Sequence, residues 1–148
     1  MKSGIFLAMI KYLLKLLPVK TIYAHCDIPC GIYDPKAAQV AAATVLKMVQ
    51  KLGEYPADDL NNRVRAIMTK EAHAQKCKEE LLILWTDYFK SEHLEKFPDL
   101  HEKFWNGAKL CSKNKQSVDL SAAEELVKAV DEIADIFAQS KNEPSAKI

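Results

Sequence analysis

The sequence predicts an all-α fold, an antiparallel four-helix bundle. Four segments place apolar residues at the spacing of an amphipathic helix, and the loops between these segments are short. Alternation of apolar and polar residues, the pattern of a half-buried strand, is sustained nowhere. Short loops between helices are typical of antiparallel neighbours. We therefore expect residues 36–148 to form the bundle.

Length and composition fit one globular domain. The chain has 148 residues, 49% of them hydrophobic and 28% charged, with a net charge of +1. This balance gives no global reason to expect nucleic acid or an anionic membrane as a partner. Only four glycines occur, and no glycine-rich phosphate-binding motif is present. The usual nucleotide-binding classes are therefore excluded.

The first two helices are expected from their apolar faces. The first combines strong helix formers with a regular face, Val45, Met48, Val49 and Leu52, and ends at Gly53 and Pro56. Asp58 or Asp59 then begins a long helix. Its first apolar stripe is Leu60, Val64, Ile67 and Met68, and its last is Leu81, Leu84, Trp85 and Tyr88. Between the stripes, residues 69–80 are polar, and we expect His73 there to be an ordinary helix residue.

The last two helices follow a loop that extends from Lys90 to Pro98. The third presents Leu100, Phe104, Ala108 and Cys111 on one face, and residues 113–117 are expected to be a polar linker. Ser121 and Glu124 suggest a capping box for the fourth helix. The apolar face of that helix is Leu126, Val127, Val130, Ile133, Ala134 and Phe137. From Ser140 the tail is polar and is expected to fray.

Residues 1–24 differ from the rest of the chain. Lysines are their only charged residues, and Lys11 and Lys15 interrupt the apolar run well short of the roughly twenty residues that a membrane span needs. A secretory signal, an amphipathic targeting helix and a pro-segment are all compatible with this composition. We favour a cleavable pro-segment that ends at Ala24, without stable membrane insertion.

The next stretch, residues 25–35, reads HCDIPCGIYDP and is called the hook below. Pro29 rules out a regular helix, and Gly31 permits backbone conformations closed to other residues. The segment is therefore a tight loop on whose concave side Cys26 and Cys30 can converge, and Ile28–Pro29 is a candidate cis peptide. Asp34 and Pro35 are expected to be the N-cap and first residue of the first helix.

The thiols alone leave several interpretations open. Cys26 and Cys30 could form a disulfide in a secreted domain, half of a zinc site, or another metal or redox site. The other two cysteines, Cys77 and Cys111, are isolated in helical patterns and are expected to be small buried hydrophobes. His93 and His101 lack further partners at metal-ligand spacing, and we expect both to be structural or solvated.

Two motifs together resemble one family. The hook matches the pattern H-C-D-x-P-C-G-x-Y-D-P, and residues 85–101 match W-x-D-Y-F-K followed by H-x-E-K-x-P-x-L-H. Both are similar to segments of the nickel superoxide dismutases, and the likeness extends from His25 almost to the end of the chain. The resemblance implies a four-helix bundle that assembles into homohexamers, with hooks partly buried by neighbouring subunits.

The resemblance also implies a ligand set for one nickel ion per subunit. A processing protease would cut after Ala24, so that the mature chain begins at His25. The α-amine of His25, the amide nitrogen and thiolate of Cys26 and the thiolate of Cys30 would hold nickel in a plane. The imidazole of His25 would be the axial ligand of the oxidised metal. Thiolates and an anionic amide are strong donors that should make nickel easier to oxidise, and planar coordination suits divalent nickel.

Supporting roles come from the same resemblance. Tyr33 and Tyr88 would lie near the open face of the metal and gate access to it, Asp27 would fasten the hook, and Lys90 would attract the superoxide anion. Alternatively, Tyr88 is a core aromatic with a hydrogen-bonded hydroxyl. Some family members orient the axial imidazole with a glutamate and an arginine, but the matching positions here are Ala41 and His73.

The sequence therefore predicts an enzyme that converts superoxide to dioxygen and hydrogen peroxide by a Ni(II)/Ni(III) cycle. The alternative is a nickel- or copper-binding storage or delivery protein that uses the same hook. A third interpretation is a secreted helical interaction domain with Cys26 and Cys30 in a disulfide. We expect a cytoplasmic protein, or an exported one if residues 1–24 act as a signal.

Overall fold

The structure, a computed structural model, describes residues 31–141 and shows that this part of the chain is all-helical. Helices α1 (Lys36–Glu54), α2 (Leu60–Ile83), α3 (His93–Lys96), α4 (Leu100–Gln116) and α5 (Leu120–Lys141) follow in order, and a π-helical turn, Leu84–Tyr88, extends α2. The predicted leader and residues 25–30 of the hook lie outside the described residues, as does the candidate cis peptide. The predicted all-α fold is confirmed. None of the described helices is long and apolar enough to cross a membrane.

The four long helices form the bundle. Helix α1 packs against α2 and α5, and α4 completes the arrangement by packing against α2 and α5. Hydrogen bonds across α1 and α5 show that the two helices run in opposite directions. Gln39 binds Asp131 at 2.8 Å, whereas Lys141 at the end of α5 reaches the Tyr33 carbonyl just before α1, at 3.3 Å.

Three of the four predicted apolar faces are confirmed. The buried members are Val45, Val49 and Leu52 on α1, Leu100, Phe104, Ala108 and Cys111 on α4, and Leu126, Val130, Ile133 and Phe137 on α5. Met48, Val127 and Ala134 at the edges of these faces are half-buried. Each face is a stripe at helical spacing, so burial in the bundle follows the period of the sequence.

The first predicted stripe of α2 is wrong. Leu60, Val64 and Met68 are 70%, 43% and 67% exposed. Ile67 of the same stripe is half-buried. Leu81 and Leu84 of the last predicted stripe are buried as expected. The rest of the buried face of α2 consists of Ala66, Lys70, Ala74 and Cys77. Small side chains on this face let the neighbouring helices approach closely, and that packing outweighs the burial of the larger residues.

Lys70 is a fully buried lysine. Its amine donates hydrogen bonds to the carbonyl oxygens of Asn114, Ser117 (2.8 Å) and Lys115 (3.3 Å). These carbonyls belong to the last turn of α4 and its cap, where helical partners are lacking and the helix dipole favours a cation. Burial lowers the pKa of Lys70. The buried amine therefore caps α4 from the neighbouring helix.

The predicted linker at residues 113–117 is largely helical, because α4 continues to Gln116. Asn114 is buried, and its amide donates to the carbonyls of Leu110 (3.0 Å) and Ala122 (2.9 Å). The second of these bonds joins the end of α4 to the start of α5. The polar residues of this segment therefore stabilise the end of α4 and the turn to α5, and they do not form a flexible linker.

The starts of two helices differ from the sequence expectations of Pro35 as the first residue of α1 and of a capping box for α5. Helix α1 begins at Lys36, and Asp34 caps it by accepting the Lys36 backbone N–H at 2.8 Å. For α5, the cap is Asp119, whose carboxylate accepts the Ala122 N–H at 3.2 Å, and not the predicted box of Ser121 and Glu124. This backbone hydrogen bond lowers the pKa of Asp119.

The expected fraying from Ser140 is also wrong. Helix α5 continues to Lys141, and Ser140 is buried. Its hydroxyl donates to the carbonyl of Phe137 at 2.7 Å. The end of α5 is ordered because it packs beside the residues of the candidate site, which the polar composition of the tail does not reveal.

Replacing Lys70 with methionine is expected to destabilise the bundle by about 2 kcal/mol. Methionine keeps the apolar stem but leaves the carbonyls at the end of α4 without their donor, and an unsatisfied buried polar group costs about 1–3 kcal/mol. The measurement is the free energy of unfolding at fixed protein concentration. Lys76→Met, an exposed lysine on the same helix, is the matched control and should change stability by less than about 0.5 kcal/mol. Equal effects of the two substitutions would contradict the capping role.

Candidate metal centre

The end of the hook enters the described structure at Gly31. Its φ is +68°, in the left-handed region that glycine adopts without strain, as the sequence predicts. A Cβ at this position would meet no atom within 4 Å. Glycine is therefore required for the backbone conformation and not for space. The chain then turns toward the bundle at Tyr33.

Tyr33 and Tyr88 lie side by side. Their ring centroids are 5.5 Å apart, with the planes tilted by 57°. Tyr88 is the last residue of the π-helical turn, which the Phe89 N–H closes by donating to the Leu84 carbonyl at 3.1 Å. This wider turn ends α2 and lies within the second sequence motif. The end of the hook and the second motif, distant in sequence, therefore meet in space.

Aromatic side chains surround Tyr88. Its ring centroid lies 4.5 Å from that of Phe137 and 4.9 Å from that of Phe89, and the His93 ring stacks on it at 5.7 Å. The rings come from α5, the end of the π-helical turn and α3. Tyr88 stays half-buried within this cluster. Its position is thus held from three sides by packing.

The Tyr88 hydroxyl is hydrogen-bonded to the Ser140 hydroxyl at 2.8 Å. Because Ser140 gives its only proton to the Phe137 carbonyl, Tyr88 is the donor in this pair. The bond is a feature of the alternative in which Tyr88 is a core aromatic. Half-burial and the contact with Tyr33 distinguish Tyr88 from a fully enclosed core residue.

Two lysines bring positive charge to this end of the bundle. The Lys141 amine lies 4.4 Å from the centroid of the Phe137 ring and donates to the Tyr33 carbonyl. Lys90 is exposed, and its backbone N–H donates to Nδ1 of His93 at 2.9 Å. Lys90 is a site residue that the sequence predicts, whereas Ser140 and Lys141 are not, because their segment has the composition of a frayed tail.

The positions that differ from some family members lie on α1 and α2. Ala41 is buried, and His73 is half-buried. Nδ1 of His73 is buried and has no hydrogen-bond partner within residues 31–141. His73 is therefore more than a solvated helix residue, since an imidazole nitrogen enclosed in protein normally has a partner.

The remaining histidines have structural contacts. Nδ1 of His101 accepts a hydrogen bond from the Trp85 indole at 2.8 Å, and the Trp85 ring stacks on Phe104. Among the residues that the structure describes, no group of three or more His, Cys, Asp or Glu side chains could hold a metal ion. His25, Cys26, Asp27 and Cys30 lie outside those residues.

Together, the bundle, the sequence of the hook and the tyrosine pair define a class of protein: a helical bundle preceded in sequence by a short motif with two cysteines, and with aromatic and cationic side chains grouped around Tyr88. Comparison with known proteins makes the assignment specific. Residues 20–141 match the family model described as nickel-containing superoxide dismutase.

Individual relatives agree with the family model. The chain is 36% identical over 124 residues to the nickel superoxide dismutases of Streptomyces seoulensis and Streptomyces coelicolor, covering 84% of this chain and 93% of each relative. It is also similar to a crystal structure of a Ni-containing superoxide dismutase in a partially reduced state of nickel ligation. There the TM-score is 0.76 at 36% identity, covering 80% of this chain and all of the other. The chain belongs to the nickel-containing superoxide dismutase family.

Proposed function

We propose that the chain catalyses the dismutation of superoxide to dioxygen and hydrogen peroxide with nickel bound at its hook. The contact between Tyr33 and Tyr88 carries this conclusion, because it joins the two motifs that the sequence shares with the family. Membership of the family supports both the reaction and the metal. A storage or delivery protein has no use for the aromatic and cationic side chains that the bundle groups around Tyr88.

The donors of the hook fit nickel. His25, Cys26 and Cys30 offer an imidazole, two thiolates and backbone nitrogens, and soft sulfur with nitrogen donors suits a planar divalent nickel site. When bound, nickel supplies the one-electron redox chemistry that alternate oxidation and reduction of superoxide requires. The thiols must lose their protons to bind it, so metal affinity falls at low pH.

The described residues contribute positioning and charge. Tyr33 and Tyr88 hold each other at the exit of the hook, and we assign to them the gating of the metal's open face. Lys141 and Lys90 supply positive charge at the same end of the bundle, where it attracts a small anion and raises its local concentration. To Asp27, which lies outside the described residues, we assign the fastening of the hook. In place of the glutamate and arginine of some family members, His73 offers a buried imidazole nitrogen that has no hydrogen-bond partner among residues 31–141.

The direct test uses protein trimmed to begin at His25 and loaded with nickel. We expect one nickel per chain and rapid decay of superoxide, measured by metal analysis and stopped-flow spectroscopy. A storage or delivery protein would bind the metal and leave superoxide decay at its uncatalysed rate. That outcome would overturn the enzymatic proposal while retaining the metal site.

Tyr88→Phe is expected to lower kcat/KM for superoxide about tenfold without changing nickel content. Removal of the hydroxyl breaks its bond to Ser140 and so loosens the position of the ring beside Tyr33. A loss of about 1.4 kcal/mol of transition-state stabilisation corresponds to a factor of ten. The matched control is Tyr55→Phe. Tyr55 follows the far end of α1, which at 1.5 Å per residue is roughly 27 Å long. If kcat/KM for superoxide is the same in Tyr88→Phe as in the wild type, the Tyr88 hydroxyl has no role in catalysis and Tyr88 is a packing residue.

The mature enzyme is proposed to be a cytoplasmic homohexamer, formed after a protease cuts between Ala24 and His25. The family resemblance supports the hexamer. An apolar stripe on α2, formed by Leu60, Val64 and Met68, is exposed in the single chain. Exposed apolar patches commonly mark protein contacts, so this stripe is the described surface best suited to contact a second copy.

A further inference from the structure

The function proposed above leaves two buried cysteines unused. Cys77 on α2 and Cys111 on α4 are both fully buried in the core. A Cβ on Gly107 of α4 would lie 3.1 Å from Leu81 of α2, which shows how closely the two helices approach. The sequence expectation of two small buried residues is confirmed, but their isolation is not, because the fold brings them together.

The register of α2 and α4 places the two thiols opposite each other. Cys77 lies one helical turn before Leu81, and Cys111 lies one turn after Gly107. Since the helices are antiparallel, these two steps lead in the same direction in space. Lys78, next to Cys77, donates to the hydroxyl of Ser112, next to Cys111, at 3.2 Å, so the two turns that carry the cysteines are in contact.

The two facing thiols shift each other's pKa in opposite directions. The neighbouring Cys111 thiol, aided by burial, raises the pKa of Cys77, which keeps its proton. The Cys77 thiol lowers the pKa of Cys111 against the effect of burial, and the charge of Lys78 acts in the same sense. Cys111 is therefore the better nucleophile of the pair.

We propose that Cys77 and Cys111 form a peroxide-oxidisable dithiol that closes to a disulfide between α2 and α4. Two fully buried thiols on facing turns of closely packed helices need little movement to reach bonding geometry. The core holds no competing thiol among the described residues. The proposal rests on the proposed function for its oxidant, because hydrogen peroxide is a product of dismutation.

The chemistry balances in two steps. The Cys111 thiolate attacks one oxygen of hydrogen peroxide, the O–O bond breaks, and hydroxide leaves, so that Cys111 becomes a sulfenic acid. The Cys77 sulfur then attacks the Cys111 sulfur, the S–O bond breaks, and the thiol proton leaves with that oxygen as water. Overall, two thiols lose two electrons and two protons, and one peroxide becomes two molecules of water.

Burial determines which molecules take part. Hydrogen peroxide is close to water in size and can enter during small openings of the bundle. A bulky thiol reductant requires a much larger opening to reach the same sulfurs. The disulfide, once formed, should therefore persist longer than an exposed one.

The test is peptide mapping of the full-length chain after treatment with hydrogen peroxide. Cleavage at lysines under non-reducing conditions separates Cys77 (residues 77–78), Cys111 (residues 110–113) and the hook cysteines (residues 21–36) onto three peptides. We expect a linked peptide that joins Cys77 to Cys111, with the loss of two hydrogen atoms. Recovery of both as free, alkylatable thiols after peroxide treatment would overturn the proposal.

Two single variants test the assigned order of events. In Cys77→Ala, the sulfenic acid of Cys111 has no partner and should be trapped by a sulfenic-acid reagent. In Cys111→Ala, Cys77 should resist oxidation at the same peroxide concentration. Equal trapping of sulfenic acid in the two variants would show that Cys111 is not the thiol that reacts first with peroxide. The peptide map of the wild-type chain tests disulfide formation even if a variant fails to fold.

A chain without dismutase activity separates this inference from the proposed function. The Cys26→Ser variant, treated with added peroxide, should form the Cys77–Cys111 link as the wild type does. A superoxide source should then produce the link faster in active enzyme than in Cys26→Ser. Formation of the Cys77–Cys111 disulfide under added peroxide supports the dithiol proposal even if the enzyme proves inactive. Absence of this disulfide from both chains would overturn the dithiol proposal and leave the proposed function unaffected.

Discussion

Replacing Cys26 or Cys30 with serine is expected to abolish superoxide dismutation while leaving the bundle folded. Each substitution removes one of the two proposed thiolate ligands, and such donors would bring nickel within reach of one-electron oxidation. Activity should fall by more than about 100-fold, beyond the 10–100-fold effects of supporting residues around metal sites. Nickel content, thiolate-to-nickel absorption and superoxide decay are the measurements.

The fold should be insensitive to these two changes. Both positions precede the helices, whose core is formed by residues from Ala38 onward, so helix content should match the wild type. Cys77→Ala, a cysteine replacement in the bundle, is the matched control and should retain nickel and activity. Full activity in either hook variant would show that the dithiolate ligand set is wrong.

The full-length chain is expected to be inactive until it is cut between Ala24 and His25. In the precursor the nitrogen of His25 is a peptide amide, which must lose a proton to bind metal well. After cleavage it is an amine with a pKa of about 8, which releases its proton readily. The leader would also continue the backbone through the space beside that nitrogen. Cleavage is thus expected to create a ligand.

The position of the cut should be strict. Chains that begin at Met1, Ala24 and His25 would each be loaded with nickel and compared for metal content and superoxide decay. Only the chain that begins at His25 should be fully active, because one additional residue moves the amine away from the metal. Equal activity of the Ala24 and His25 forms would contradict the amine ligand.

The two predictions concern residues that can be identified from sequence because they are adjacent. The hook of eleven residues contains the residue types that can bind the metal, the glycine that forms the turn, and a tyrosine two residues after that glycine. Gly31 illustrates this point, since its left-handed φ agrees with the expectation from residue type. The role of Ser140 could not be anticipated in this way. Its partner Tyr88 is 52 residues away, and only packing of α5 against the end of α2 joins them.

The sequence by itself determined the fold class, the faces of three helices and the family, because helical periodicity and a dense local motif are properties of neighbouring residues. Tertiary structure alone decided which face of α2 is buried, since close packing of small residues and the cap that Lys70 provides for α4 outweigh the larger apolar side chains. It also decided that Cys77 meets Cys111 and that Tyr88 meets Tyr33. Those contacts depend on the register between helices, which arises from the packing of the whole bundle.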